Sequence, residues 1–103
     1  MPIPPLSEEQ LHAARAAAAG ARRERAAVKE KVRTRQFTVG DVLDLAAEND
    51  IIAHIRVVDL LKSVPRIGPK RAEVLMERFA ISPGRRLRGL GRHQIDALKK
   101  EFS

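Results

Sequence analysis

The chain has 103 residues, which is enough for one domain with a modest hydrophobic core. Its 20 basic residues outnumber the 13 acidic ones, and the net charge of +7 favours an anionic polymer as partner. The absence of cysteine excludes disulfides and thiolate zinc sites. No apolar run has the length of a membrane span and no signal-peptide pattern is present, so we expect a cytoplasmic protein that needs no membrane, metal or other cofactor.

Residues 1–36 predict an extended arm followed by one long basic helix. Prolines among the first five residues disfavour a helix there, and Ser7 with Gln10 then forms a capping box. Alanine, arginine, glutamate and lysine dominate the stretch that follows, which favours a helix. Because its only sizeable apolar residues near the end are Val28 and Val32, we expect that end to pack on the body and the N-terminal half to project into solvent.

The long helix carries a cationic face that has two interpretations. It either lies along DNA phosphates, or it is a solvated face with internal ion pairs, such as those of Arg25 with Glu30 or Glu24. The sequence leaves both open. The cations of this face are Arg22, Arg23, Arg25, Lys29 and Arg33.

Residues 37–61 form an acidic middle, with five acidic side chains and one basic side chain. Thr38 and Asp41 predict the capped start of an amphipathic helix. Ile51-Ile52 is interpreted as a short apolar link, and a further helix is predicted over Val57–Ser63. We expect this region to be scaffold that faces away from a polyanion.

Residues 60–72 predict two helices joined by a tight hairpin. Pro65 disfavours continuation of the first helix, Gly68 permits a positive φ, and the proline after it suits the first turn of the second helix. The second helix begins with unpaired backbone N–H groups, next to Lys70 and Arg71, and this arrangement favours binding of a phosphate. The alternative is a plain helix corner that closes a core.

This stretch resembles the helix-hairpin-helix family of nucleic-acid-binding elements, whose pattern is apolar-Pro-Gly-apolar-Gly-x-x-x-Ala. Arg66 stands where the family has its first glycine. Either Arg66 adopts a positive φ at a cost of about 1 kcal/mol, or the turn differs locally. In both cases it adds a cation to the hairpin. The matching residues are Val64, Pro65, Ile67, Gly68 and Ala72.

Residues 62–103 form the most basic part of the chain, with eleven basic and four acidic side chains. Segment 85–91 joins three arginines to two glycines, which predicts outward-pointing cations on backbone that a partner can approach closely. The alternative is a solvated basic loop. A final helix over about 92–102 closes the core. The arginines of the segment are Arg85, Arg86 and Arg88.

The predicted fold class is all-α, with about five helices and no stretch of clear two-residue alternation. The long N-terminal helix packs on a compact helical domain with a helix-hairpin-helix element, so that residues 1–36 and 37–103 form one structural unit. Catalysis is not expected, because His12, His54 and His93 lie on different elements and no nucleophile is paired with a base.

Nearly the whole chain resembles the actinobacterial integration host factor family of small nucleoid-associated DNA-binding proteins. The resemblance implies a monomeric helix-two-turns-helix domain, similar to the head of a small-ribosomal-subunit protein. It also implies binding to duplex DNA with little sequence preference, bending or compaction of that DNA, and support of phage integrase recombination. The stretches that carry it are Pro4-Pro5-Leu6, 21–26, 48–52, the hairpin, 76–78, 85–91 and 94–102.

Three groups of residues are candidate DNA contacts. The resemblance places phosphate contacts at the hairpin, the arginine-rich segment and the long helix, with the backbone N–H groups of Ile67, Gly68 and Lys70 gripping one phosphate. An RNA-binding or ribosome-associated protein is the alternative, and it would prefer A-form helices. The candidates, with Arg71 added for its charge, are Pro65, Arg66, Ile67, Gly68, Lys70, Arg71, Arg85, Arg86, Arg88, Arg22, Arg23 and Arg25.

Overall fold

A computed structural model of the chain describes residues 7–103, which form six α-helices and one short 3₁₀ turn. The predicted all-α class is confirmed, and the predicted arm at residues 1–5 lies outside the described residues. The elements are α1 (Glu8–Arg33), α2 (Val39–Glu48), α3 (Asp50–Ala53), α4 (Val57–Ser63), α5 (Pro69–Arg78), the 3₁₀ turn (Leu87–Gly89) and α6 (Arg92–Glu101).

Helix α1 begins at the predicted capping box and packs only through its C-terminal half. Ser7 Oγ accepts from the Gln10 N–H at 3.1 Å, and Gln10 Oε1 accepts from the Ser7 N–H at 2.9 Å. Residues 7–18 are all exposed, whereas Val28 and Val32 are buried against the body. The projecting N-terminal half is therefore confirmed.

The predicted apolar link at Ile51-Ile52 is wrong, because these residues lie in the one-turn helix α3. Asn49 Oδ1 accepts from the N–H groups of Ile51 and Ile52, at 3.0 and 3.3 Å, and so caps the turn. The Asn49 amide also donates to Glu24 Oε1 at 3.0 Å. One side chain therefore starts α3 and ties it to α1.

Helix α4 lies at the centre of the core. Its residues Val57, Leu60 and Leu61 have no exposed surface, and α1 and α5 pack against it. Leu98 of α6 is also fully buried. Burial of each of these large side chains contributes about 2 kcal/mol. The packing fixes both ends of α4, and the candidate site is built at those ends.

The hairpin, residues 64–68, begins with a type II turn. The Val64 carbonyl accepts from the Ile67 N–H at 3.1 Å, and Pro65 supplies the first central position. Arg66 occupies the second central position with φ 70°, which costs a residue other than glycine about 1 kcal/mol. Gly68 has φ −86°, so the positive φ that a glycine permits is not adopted there.

Segment 85–91 is attached to the N-terminal end of α4 by main-chain bonds. The Val57 N–H donates to the Arg85 carbonyl and the Leu87 N–H donates to the Ile55 carbonyl, both at 2.9 Å. Leu87 is buried beneath them. These contacts hold the arginine-rich segment in one place relative to the hairpin at the other end of α4.

Shortening a large side chain of the core helix α4 should lower the stability of the protein strongly, whereas the same change in the projecting half of α1 should lower it little. We expect Leu60→Ala to lower the free energy of unfolding by about 3 kcal/mol, because Leu60 is fully buried. Leu11→Ala makes the same chemical change on α1, where Leu11 is 39% exposed, and should cost under about 0.5 kcal/mol. Urea unfolding followed by circular dichroism measures both, and equal losses would contradict the projecting helix.

Candidate nucleic-acid interface

The N-terminus of α5 presents backbone N–H groups to solvent. No acceptor within residues 7–103 takes a hydrogen bond from the N–H groups of Gly68, Lys70 or Arg71, and the first turn contains no acidic side chain. The Ile67 N–H is different, since it closes the type II turn. The expectation that Ile67 grips a phosphate through its N–H is therefore wrong, and the donors at this position are Gly68, Lys70 and Arg71.

Gly68 keeps the approach to these donors open. A Cβ built on Gly68 meets no atom within 4 Å, and the residue itself is exposed. Lys70 and Arg71 are also exposed, on the first turn of α5. A negatively charged oxygen can therefore reach the backbone without moving any side chain of the described residues.

Three cations from different elements surround an open pocket beside the hairpin. Arg33 comes from the last turn of α1, Lys62 from the last turn of α4, and Arg66 from the type II turn. The pocket, which we call the hairpin pocket, has a volume of about 430 Å³ and extends to Gly68. The burial of Val32 in α1 beside α4 brings Arg33 to this place.

The second cationic region surrounds His54, between α3 and α4. The Arg86 guanidinium donates to the His54 carbonyl at 2.7 Å, and Arg86 pairs with Arg56 in an isolated antiparallel bridge. The charges of Arg88 and Arg25 also act on His54. We call Arg25, Arg56, Arg86 and Arg88 the arginine cluster.

The arginine cluster disfavours the protonated form of the His54 imidazole. The charge of Arg86, the partial burial of the ring, and then the charges of Arg88, Arg25 and Arg56 all lower the pKa of His54 below its usual value. An environment that disfavours a further positive charge is one in which an anion is favoured. The local field of this region therefore suits a phosphate.

Of the three arginines in segment 85–91, Arg86 differs from the expectation that all point outward. Arg86 is half-buried and donates to the His54 carbonyl. It therefore attaches the segment to the body of the protein in addition to contributing a positive charge. Arg85 is exposed, but its guanidinium donates to the Gly89 carbonyl at 2.8 Å and its side chain covers Gly89. In this structure the close approach at Gly89 is made by Arg85. Arg88 is exposed as expected.

The cations of α1 do not act as one group. Arg22 and Arg23 are exposed, whereas Arg25 is half-buried and belongs to the arginine cluster. The suggested ion pairs of Arg25 are not formed, because Glu30 pairs with Arg33 and Glu24 accepts from the Asn49 amide.

Sequence reasoning missed two contributors and misplaced a third. Lys62 and Arg56 were not selected, since each is an isolated cation at an end of a short helix. Arg33 was assigned to the cationic face of the long helix, whereas it lines the hairpin pocket. Only the packing of α1 on α4 could have revealed this. Within residues 7–103, no group of three metal-ligating side chains occurs and no helix is long and apolar enough to cross a membrane.

Comparisons with known proteins agree with this architecture. The family model of the S13-like H2TH domain matches residues 32–102. The chain is 46% identical to "Integration host factor" of Streptomyces coelicolor, over 99% of this chain and 95% of that protein. It is 37% identical to "Integration host factor" of Mycobacterium tuberculosis, over 99% and 97% of the two chains.

A solved structure described as sIHF bound to an 8-base-pair palindromic DNA also matches. The TM-score is 0.81 at 45% sequence identity, and the match covers 84% of this chain and 97% of that chain.

Stability should depend on pH through His54. Because its pKa is lower in the folded state than the ordinary value of 6.5, the unfolded chain binds more protons, and stability is lost as the pH falls below about 6.5. We expect His54→Gln to show a smaller loss between about pH 6.5 and pH 5, measured by urea unfolding across that range. An unchanged pH dependence in the variant would contradict the role given to the arginine cluster.

Proposed function

Because this chain belongs to the actinobacterial integration host factor family, we propose that it is a nucleoid protein that binds double-stranded DNA without reading its sequence. The observation that carries the proposal is the agreement of this fold with a DNA-bound structure at a TM-score of 0.81, in a chain with two cationic regions. The protein acts as a monomer in the cytoplasm and without catalysis.

The hairpin supplies the first phosphate contact. Gly68, Lys70 and Arg71 direct backbone N–H groups at the phosphate, and the side chains of the latter two add positive charge. Arg66 stands beside them on the type II turn, next to Pro65. Contacts of this kind release counterions and fix the register of the protein on the duplex, but they carry no sequence information.

The arginine cluster and the exposed cations of segment 85–91 supply the second contact. The two contacts lie at opposite ends of α4, whose seven residues span about 10 Å. Arg22 and Arg23 on α1 extend the positive surface beyond the cluster.

Bending of the DNA follows from this layout. A duplex that curves towards the protein meets cations at both ends of α4 and along α1. Bending a short site costs of the order of 1–6 kcal/mol, and the additional phosphate contacts would offset that cost. A bent duplex in turn brings distant sites together, which is how the protein would support recombination by phage integrase complexes.

DNA binding should be tight, dependent on salt and accompanied by bending. We expect wild-type protein to bind two unrelated duplexes of equal length with similar affinity, with a slope of log K against log salt of about −4 to −5, for about five phosphate contacts. Fluorophores at the two ends should report a shortened end-to-end distance. The measurement is a fluorescence titration at several salt concentrations.

The competitor in this titration distinguishes the proposed function from its alternative. A matched RNA duplex should compete poorly, because A-form grooves and spacing differ from those of B-form DNA. More effective competition by RNA would replace the proposal with an RNA-binding function. Binding that leaves the end-to-end distance of the duplex unchanged would support DNA binding but contradict the proposed bending.

The role of Gly68 can be tested without disturbing the fold. A methyl group at Gly68 meets no atom and φ is negative, so Gly68→Ala should cost under about 1 kcal/mol of stability, through the poorer cap alone. If a phosphate oxygen rests on the Gly68 N–H, the same methyl group should weaken DNA binding about tenfold. Gly84→Ala is the matched control, because its Cβ also meets nothing. Equal affinities for the two variants would contradict the hairpin contact.

A further inference from the structure

Two of the basic side chains that line the hairpin pocket form salt bridges with carboxylates. Glu30 Oε2 lies 2.8 Å from Arg33 Nη1, and Asp59 Oδ1 lies 3.8 Å from Lys62 Nζ. In each pair the acid stands three residues before the base on the same helix. Arg66, the third cation, forms no salt bridge with any of residues 7–103. Two of the three charges around the pocket are therefore partly neutralised.

Both pairs are exposed enough to exchange partners. The side chains of Arg33 and Glu30 are 62% and 58% exposed, and those of Lys62 and Asp59 are 42% and 40% exposed. Exposed ion pairs of this spacing are weak in water, because solvent and salt screen them. A phosphate that enters the pocket can therefore displace the carboxylates from the cations.

The helix dipole does not favour Glu30 at its position. It lies in the last turn of α1, where the negative end of the helix dipole disfavours an acidic side chain. Its side chain bonds to nothing but Arg33 among residues 7–103. Asp59 differs, since it lies in the first turn of α4 and the dipole there favours it. A substitution of Glu30 therefore tests the competition with less effect on the helix dipole than a substitution of Asp59.

We propose that Arg33 and Lys62 bind DNA phosphate in the hairpin pocket, and that Glu30 and Asp59 compete with the phosphate for them. The inference rests on the proposed DNA-binding function and adds a built-in limit to its affinity. On binding, each cation exchanges a carboxylate for a phosphate, while the released carboxylate stays close and repels the DNA. The two acids thus lower the affinity of the hairpin for the duplex and shorten the lifetime of the protein–DNA complex.

A double-mutant cycle tests the competition. Glu30→Gln keeps the shape of the side chain and removes its charge, and we expect it to tighten DNA binding about threefold. Arg33→Gln should weaken binding. In the Arg33→Gln background, Glu30→Gln should give a much smaller gain, because the cation for which it competes is absent. Affinities are measured by the same titration at one fixed salt concentration.

Matched controls separate this effect from net charge. Glu48→Gln changes the charge equally on the exposed face of α2, outside the hairpin pocket, and should give a smaller gain because solvent ions screen it. Arg15→Gln removes a cation from the projecting half of α1 and is the control for Arg33→Gln. Circular dichroism confirms that each variant retains its helix content.

The outcomes distinguish the inference from the proposed function. Equal gains from Glu30→Gln and Glu48→Gln would overturn the inference, and so would an undiminished gain in the Arg33→Gln background. Arg33→Gln binding as well as Arg15→Gln would overturn the role of the pocket cation. In each of these cases wild-type DNA binding persists and the proposed function stands. A wild-type protein that does not bind DNA would overturn both.

Discussion

The burial of α4 is the constraint on which the rest of this structure depends. A helix of seven residues is unstable in water by itself, so α4 exists only because Val57, Leu60 and Leu61 are covered by its neighbours. Its ends then carry the two cationic regions. The N-terminal end holds segment 85–91 through main-chain bonds, and the C-terminal end leads into the hairpin. A modest core thereby positions almost all of the candidate interface.

Positive charges are brought together in both the arginine cluster and the hairpin pocket, and their repulsion is compensated differently in the two regions. In the arginine cluster a backbone carbonyl accepts from Arg86, and the surrounding positive charge lowers the pKa of the neighbouring His54. In the hairpin pocket carboxylates partner Arg33 and Lys62. The bond from Arg86 to the His54 carbonyl is partly buried, whereas the carboxylate pairs are exposed and exchange readily. The first region is therefore fixed in place, and the second can adapt when an anion arrives.

The helices and their buried faces were largely predictable, because apolar spacing and caps are local signals. Ser7 and Gln10 began α1 as predicted, and the valines of its C-terminal half became buried. Backbone conformation was less predictable from residue type. Positive φ occurs at Arg35, Arg66 and Ala80 and at no described glycine, so two helix ends and the turn adopt it without the residue type that favours it. The one-turn helix α3 was missed because a single Asn49 cap creates it.

The sequence by itself determined the class of fold, the uneven distribution of charge and the hairpin with its substituted glycine. It also carried the resemblance to the family, since that depends on motifs along the chain. Tertiary structure alone decided which cations share a surface. Arg33 and Lys62 are separated by 28 intervening residues, and Arg25 and Arg86 by 60. They meet because buried valines and leucines dock α1 on α4, and the pairing of side chains across helices is not encoded in local spacing.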